Sequence, residues 1–312
     1  MILMKKGVAL ILKAWELNGK RDAARIATQS PPDGITEVCN LAYLDDGDPM
    51  HLLDIYYPEG TTSALPVIID IHGGGFAYGD KELNKYYCLE LAKYGFAVVN
   101  ISYRLCPQVT IPDQIQDCFA AFRWLDQNGG SHFCDLNNVF VTGDSAGADL
   151  SAMSCSIMGR GDLPEAFDVT LPSFRFRAAG FTCGAFSPAK LCKRLGPLGP
   201  AMRELCFGAD ITNPMITRTD ASAMLDGTNM PPIYMVSSAE DMLRPHSDYY
   251  SECLRAHNIS YTYRKWAKRP EKRLDHVFNV LYPLWPESVQ TNEEMIALFR
   301  ENMLEAAEPA LV

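Results

Sequence analysis

The sequence predicts an α/β fold, with a mostly parallel central sheet covered by helices on both faces. Two observations predict it. Short β-branched runs bounded by turn residues recur throughout, and helical patterns separate the later ones. Those runs are also apolar almost without interruption, which is how strands read when both faces of a parallel sheet are buried. A length of 312 residues, 47% hydrophobic and 21% charged, is enough for one large α/β domain or two modest ones.

The first element is helical. In MILMKKGVALILKAWELNGKRDAARIA a charged pair precedes an apolar run, as in a secretion signal, but the run is six residues long before Lys13 and no small-residue cleavage site follows. Val8, Ile11, Leu12 and Trp15 are spaced for one face of an amphipathic helix, expected to be retained. LLDIYYP (52–58) and PVIIDIHG (66–73) read as strands, and the short link EGTTSAL predicts that they pair as an antiparallel edge. A helix over 83–94 stops at Gly95, and FAVVNISYRL (96–105) follows as a strand. The same alternation gives a helix over 113–128 stopped by Gly129, the strand NVFVTG (138–143), a helix over 146–158 stopped by Gly159, and the strand RAAGFTCGAF (177–186). PIYMVSSA (232–239), a helix over 247–257 stopped by Asn258, and SYTYRKW (260–266) continue it. Thr291 and Glu294 at capping-box spacing open a last helix running to about Ala306.

One segment, 187–225, lacks a strand and is rich in Met, Leu and Pro. It is expected to be a cap inserted into the fold. The predicted organisation is therefore an N-terminal cap-helix region (1–45), a core made of 46–186 and 226–312, and a cap insertion (187–225).

Charge and cysteine usage exclude several functions. A formal net charge of −10 disfavours attraction to nucleic acid or an anionic membrane, and no apolar stretch reaches the length of a membrane span. The ten cysteines show no C-x-x-C and no zinc-type Cys/His spacing, which predicts a reduced, cytoplasmic protein without a metal site.

The chemistry begins at GDSAG, residues 143–147. Ser145 directly follows a predicted strand and precedes a predicted helix, with Gly143 and Gly147 two residues to either side, so a sharp turn can expose its hydroxyl at the carboxyl edge of the sheet. Tight structural turns share this pattern, so the serine also needs a base, an acid and an oxyanion site. HGGGF (72–76) ends the strand PVIIDI on the same edge, and its glycines leave backbone N–H groups unshielded. Gly73 and Gly74, with Ala146 at the start of the following helix, are the expected oxyanion donors.

In hydrolases with such an elbow the serine is followed by Asp or Glu and then by His, which leaves His246, His257 and His276. His246 opens a helix beside the acid candidates, and His257 ends a helix at the opposite edge of the sheet. His276 lies after the last strand, on the correct edge. The acid should follow PIYMVSSA, where Glu240 and Asp241 both stand, Asp241 being better in register. His51 and His132 are assigned to surface or packing roles, and His72 to fixing the glycine loop.

HGGGFAYGD (72–80), SYRLCPQVTIPDQIQD (102–117), GDSAG (143–147), AEDMLR (239–244) and HVF (276–278) stand in one order at family-like spacing. With them the sequence closely resembles the hormone-sensitive lipase-like family of α/β-hydrolases, which includes bacterial carboxylesterases, over most of residues 50–280. The resemblance implies the α/β-hydrolase fold with a helical cap, Ser145, Asp241 and His276 as the triad, and Gly73, Gly74 and Ala146 as oxyanion donors. It implies a serine carboxylic ester hydrolase acting through an acyl-enzyme on small-molecule esters of short to medium chain length, with no cofactor and with a homodimer as an open alternative. The same triad would serve an amide, formamide or lactone hydrolase. A non-catalytic ligand-binding protein on the same scaffold is the remaining alternative, known for relatives that have lost the histidine.

Three departures stand out. Gln108 replaces the Glu usual in that family's Y-R-L-A-P-E stretch, and Val277 replaces the Gly usual after the histidine. The segment 265–275, KWAKRPEKRLD, is long and basic; it is read as a solvated loop, with an approach of positive charge to an anionic substrate as the alternative.

Overall fold

The computed structural model describes residues 2–305, with side chains from residue 6 onward. Its strands are β1 (Ile35–Ala42), β2 (Leu52–Pro58), β3 (Leu65–Ile71), β4 (Ala97–Ile101), β5 (Cys134–Asp144), β6 (Phe176–Thr182), β7 (Ile233–Ser238) and β8 (Tyr261–Trp266). They form one sheet in the order β1-β2-β4-β3-β5-β6-β7-β8. From β4 to β8 every pair is parallel, and β2 runs antiparallel to both its neighbours.

The expected hairpin between 52–58 and 66–73 does not form. β4 lies between β2 and β3, so β3 has a parallel partner on each side. The antiparallel edge comes instead from β1, a strand not expected from the sequence, which pairs with β2. It also puts residues 35–42 in the sheet, so the N-terminal region is a helix followed by an edge strand.

The helices are α1 (Ile2–Ile26), α2 (Lys85–Ala92), α3 (Ile111–Asn128), α4 (Ala146–Gly159), α5 (Leu163–Ala166), α6 (Pro188–Arg194), α7 (Gly199–Phe207), α8 (Met215–Arg218), α9 (Ala221–Leu225), α10 (Arg244–Ala256), α11 (Phe278–Leu281) and α12 (Pro286–Glu301). Alternation along β3 shows why helices cover both faces. Val67, Ile69 and Ile71 join one core with α3, α4 and α10, while Ile68 joins another with α2 and α12.

Helix ends follow local chemistry. Thr110 and Asp113 form a capping box at the start of α3, two residues earlier than the apolar pattern suggested. Gly95 and Asn258 take left-handed φ values of 88° and 56°, as expected of terminators. Gly129 does not, and its missing Cβ instead admits close packing by Leu125 and Cys134. Thr291 is no cap: α12 begins at Pro286, and the Thr291 hydroxyl bonds the Glu287 carbonyl one turn back while accepting the Trp266 indole N–H. The helix stops at Glu301, and Ala306 lies outside the described residues.

Residues 188–225 hold four short α-helices, one 3-10 turn and no strand. α6 packs on α7, and α1 lies across α7, where Gly7 meets Ala201. The far end of α1 is tied down by Arg25 and Gln29, which both donate to the Leu281 carbonyl.

Candidate active site

β5 delivers Ser145 and α4 begins one residue later. Ser145 has φ 52° and ψ −113°, a conformation costly for a residue with a Cβ, and it is 8% exposed. Two contacts hold it there: its N–H donates to the Thr182 carbonyl at 2.9 Å, and its carbonyl accepts the Ala185 N–H at 2.9 Å. The flanking glycines are required by closeness. A Cβ on Gly143 would stand 2.6 Å from the Gly147 backbone, and one on Gly147 would run into the Ile71 carbonyl oxygen of β3.

The Ser145 hydroxyl lies 2.9 Å from His276 Nε2, and His276 Nδ1 lies 2.7 Å from Asp241 Oδ1. Asp241 Oδ1 also accepts the Leu243 N–H at 2.9 Å, and its Oδ2 accepts the Ser237 hydroxyl at 2.7 Å. Burial works against charge on Asp241, yet the His276 hydrogen bond and charge, aided by Ser237 and Leu243, hold its carboxyl below the usual range. Glu240 points elsewhere, accepting the Leu274 N–H at 2.9 Å. The two carboxylates that the sequence left side by side thus separate: one faces the imidazole, the other braces the loop that carries it.

Cys183, Asp241 and His276 are the metal-type donors gathered here, their ligand atoms within 4.8 Å of one another. The Asp241–His276 bond already uses two of them, and the Cys183 sulfur accepts the Val277 N–H at 3.4 Å. Val277, in place of glycine, still adopts the left-handed conformation at φ 52°. The side chain is buried in one apolar cluster with Phe278 and Leu274, which favours it there against the strain of a β-branched residue.

One N–H of the glycine loop has a side-chain partner. The Gly73 N–H is already used, donating to Asp144 Oδ1 at 2.9 Å. Gly74 and Gly75 line the cavity beside Ser145, and both have positive φ. Asn84, which no motif singled out, donates its amide to Asp144 Oδ1 and to Asp70 Oδ2, each at 2.8 Å. Burial, reinforced by the Asp144 charge, pushes Asp70 up to about 8, and burial raises Asp144 as well.

Other parts of the quoted motifs hold this loop. His72 bonds the Gly73 carbonyl through Nδ1 and stacks on Tyr103 with centroids 4.4 Å apart; burial lowers it to about 4, so it stands neutral. The Phe76 carbonyl accepts from the Cys106 N–H and the Gln114 amide, and Arg104 grips Asp117 through two nitrogens. SYRLCPQVTIPDQIQD is therefore a brace behind the glycines. Gln108 is exposed and does not line the cavity.

The cavity over Ser145 encloses about 380 Å³. α1 supplies Leu10, Ile11, Ala14 and Trp15; residues 191–202 supply Leu191, Leu195, Leu198 and Met202; Met242 and Leu243 close the side next to Asp241. No Lys or Arg among the described residues lines it. In 265–275, Lys265 pairs with Asp248, Lys272 with Glu287 and Arg273 with Asp275. After the end of β8 at Trp266 the segment runs as a mostly exposed loop, anchored by the buried Leu274, and its charges do not line the cavity.

Residues 53–188 match the BD-FAE family model. Carboxylesterase NlhH of Mycobacterium tuberculosis is 29% identical over 219 residues, covering 66% of this chain and 66% of that protein. Carboxylic ester hydrolase LipN of the same organism is 27% identical over 257 residues, covering 80% of this chain and 66% of LipN. The chain thus spans about two thirds of the length of these curated relatives. The crystal structure of esterase B from Lactobacillus Rhamnosis (HN001) matches with a TM-score of 0.91 at 32% identity, covering 96% of both chains. A second structure of that esterase, with a tributyrin phosphonate, matches at 33% identity over 95% of both chains with a TM-score of 0.90. No helix among the described residues is long and apolar enough to cross a membrane. With a mostly parallel sheet, a serine elbow on its carboxyl edge and full-length likeness to esterase B, the chain belongs to the hormone-sensitive lipase-like family of α/β-hydrolase esterases.

Proposed function

We propose that the protein is a serine carboxylic ester hydrolase that works through an acyl-enzyme on uncharged esters of short to medium acyl chain. The unbroken line from Ser145 Oγ through the His276 ring to Asp241 carries this reading. His276 Nε2 takes the hydroxyl proton as Ser145 attacks the ester carbonyl, and Asp241 holds the imidazole with its other nitrogen protonated and stabilises the cation that forms. The same Nε2 then returns the proton to the leaving alcohol. Water repeats the sequence to release the acid.

The negative oxygen of each tetrahedral intermediate is assigned to the N–H groups of Gly74, Gly75 and Ala146. Gly73, expected in this role, is replaced by Gly75 because Asp144 already holds its N–H. The cap is assigned to α1 and residues 187–225. Its apolar lining and the volume of about 380 Å³, near the lower end for ligand sites, favour small uncharged esters. The tributyrin phosphonate on esterase B supports the same class. The ten unpaired cysteines fit a reducing, cytoplasmic setting.

Hydrolysis of an amide, formamide or lactone would use the same groups, so substrate testing decides. A series of 4-nitrophenyl esters from acetate to decanoate, run beside an anilide and an aryl formamide, is expected to show turnover of the shorter esters and little of the rest. Ser145→Ala is expected to abolish turnover and labelling by a fluorophosphonate; retained turnover would overturn the nucleophile.

A further inference from the structure

α1 does more than roof the cavity. The six-membered ring of the Trp15 indole lies on the α-carbon of Gly75, so that a Cβ there would meet three of its atoms at 3.0 Å or less. The same ring stacks on Tyr78, with centroids 5.2 Å apart and planes inclined by 22°. Tyr78 closes the loop in turn: its N–H donates to the Gly74 carbonyl at 3.1 Å. Two helical turns beyond Trp15, Asp22 accepts the Tyr78 hydroxyl at 3.0 Å. The buried Trp15 N–H has no partner among the described residues, so ring packing alone seats the indole.

We propose that α1 is a clamp on the oxyanion loop, with Trp15 as its positioning residue. The proposal rests on the esterase reading and on Gly74 and Gly75 as donors. Gly74 and Gly75 have positive φ and lack side chains of their own to fix them. Trp15 and Tyr78 supply that fixing surface from outside the loop. A swing of α1 away from the cavity would remove the ring from Gly75 and the anchor from Tyr78 together. Opening and catalysis thereby become exclusive: the donors are aligned only while the roof is shut.

A wall residue and a clamp residue differ in which kinetic constant they move. Losing a wall weakens binding of the substrate and transition state alike and raises KM, whereas misplacing oxyanion donors lowers kcat. The experiment uses the full chain, with kcat and KM for 4-nitrophenyl acetate and the rate and extent of fluorophosphonate labelling. Trp15→Ala is expected to lower kcat by about tenfold or more, to change KM less than about threefold, and to slow labelling in parallel while the final extent stays at one per chain. Trp15→Phe, which keeps a ring over Tyr78, is expected to recover part of the loss. A kcat within about twofold of the parent, with only KM raised, would overturn the clamp. Should Trp15→Ala not fold, Tyr78→Phe removes only the hydroxyl bond to Asp22; a kcat loss of about twofold to fivefold at constant KM supports the clamp, and an unchanged kcat overturns it. Absence of labelling in the parent protein would overturn the nucleophile assignment and the clamp with it.

Discussion

Replacing Asp70 by Asn is expected to make the protein much more stable at alkaline pH and to change little near pH 4. Asp70 is wholly buried on β3; Oδ2 accepts one arm of the Asn84 amide, the Cys88 thiol lies close by, and Oδ1 has no hydrogen-bond partner among the described residues. Burial, and then the nearby Asp144 charge, lift its pKa from 3.8 to about 8. Between those values the folded protein keeps a proton that the unfolded chain has released. Stability therefore falls as pH rises across that window, by about 1.4 kcal/mol per unit, and levels off above about pH 8. The full penalty is about 6 kcal/mol, of which about 4 kcal/mol has accrued by pH 7. Asn keeps an oxygen for Asn84 and carries no charge, so the variant escapes this slope. The assay is urea unfolding of both proteins at pH 5, 7 and 9, followed by tryptophan fluorescence. The gap between them should widen most between pH 5 and 7 and by less between pH 7 and 9, whatever constant offset the substitution adds. Parallel stability curves would refute a raised Asp70 and the acid pair built around Asn84.

Three further substitutions probe the site. Asp241→Asn should lower kcat by roughly 10³- to 10⁴-fold through the wrong histidine tautomer, whereas Glu240→Gln, which still accepts from Leu274, should stay within about threefold; equal losses would show that the two carboxylates share the role. Gly147→Ala pushes a methyl into the Ile71 carbonyl and should cost about 3 kcal/mol, seen as a fall in Tm of roughly 6 °C, with loss of ester turnover. Converting Lys268, Arg269, Lys272 and Arg273 to Ser should leave kcat/KM on neutral and anionic esters within about twofold, since none of the four lines the cavity; a selective loss on anionic esters would restore the loop as a binding element.

Much of the site was legible because catalytic groups of this kind stand at strand ends, and strand ends are marked by apolar runs that stop. Ser145 and His276 came from that logic, and the structure brings both to one edge with Asp241. Gly73 shows what a sequence leaves out: it tells which residues have N–H groups, not which of those groups another side chain has already claimed. Asp144 claims Gly73, and Asn84 reaches Asp144 from an unrelated turn 60 positions away. β1 was missed for a related reason: ITEVCNLA is half polar, as edge strands often are, and only its partner β2 selects it. The misplaced hairpin shows the limit of proximity in sequence, since a short link permits pairing but two parallel neighbours can occupy both sides of a strand first.

The parallel pairing of β3 with β5 sets Ile71 opposite Gly143 and thereby places the glycine loop against the serine elbow. These partners are separated by most of a folding unit in sequence, and parallel contacts of that span are among the slower ones for a chain to make. Side chains alternate along a strand, so a slip of one residue between β3 and β5 would turn Asp70 to the opposite face and pull the loop off the elbow. If Ser145 is the nucleophile proposed above, its reactivity is a reporter of register. Pulses of fluorophosphonate during refolding would mark the moment at which the two central strands lock, separately from the collapse that tryptophan fluorescence records.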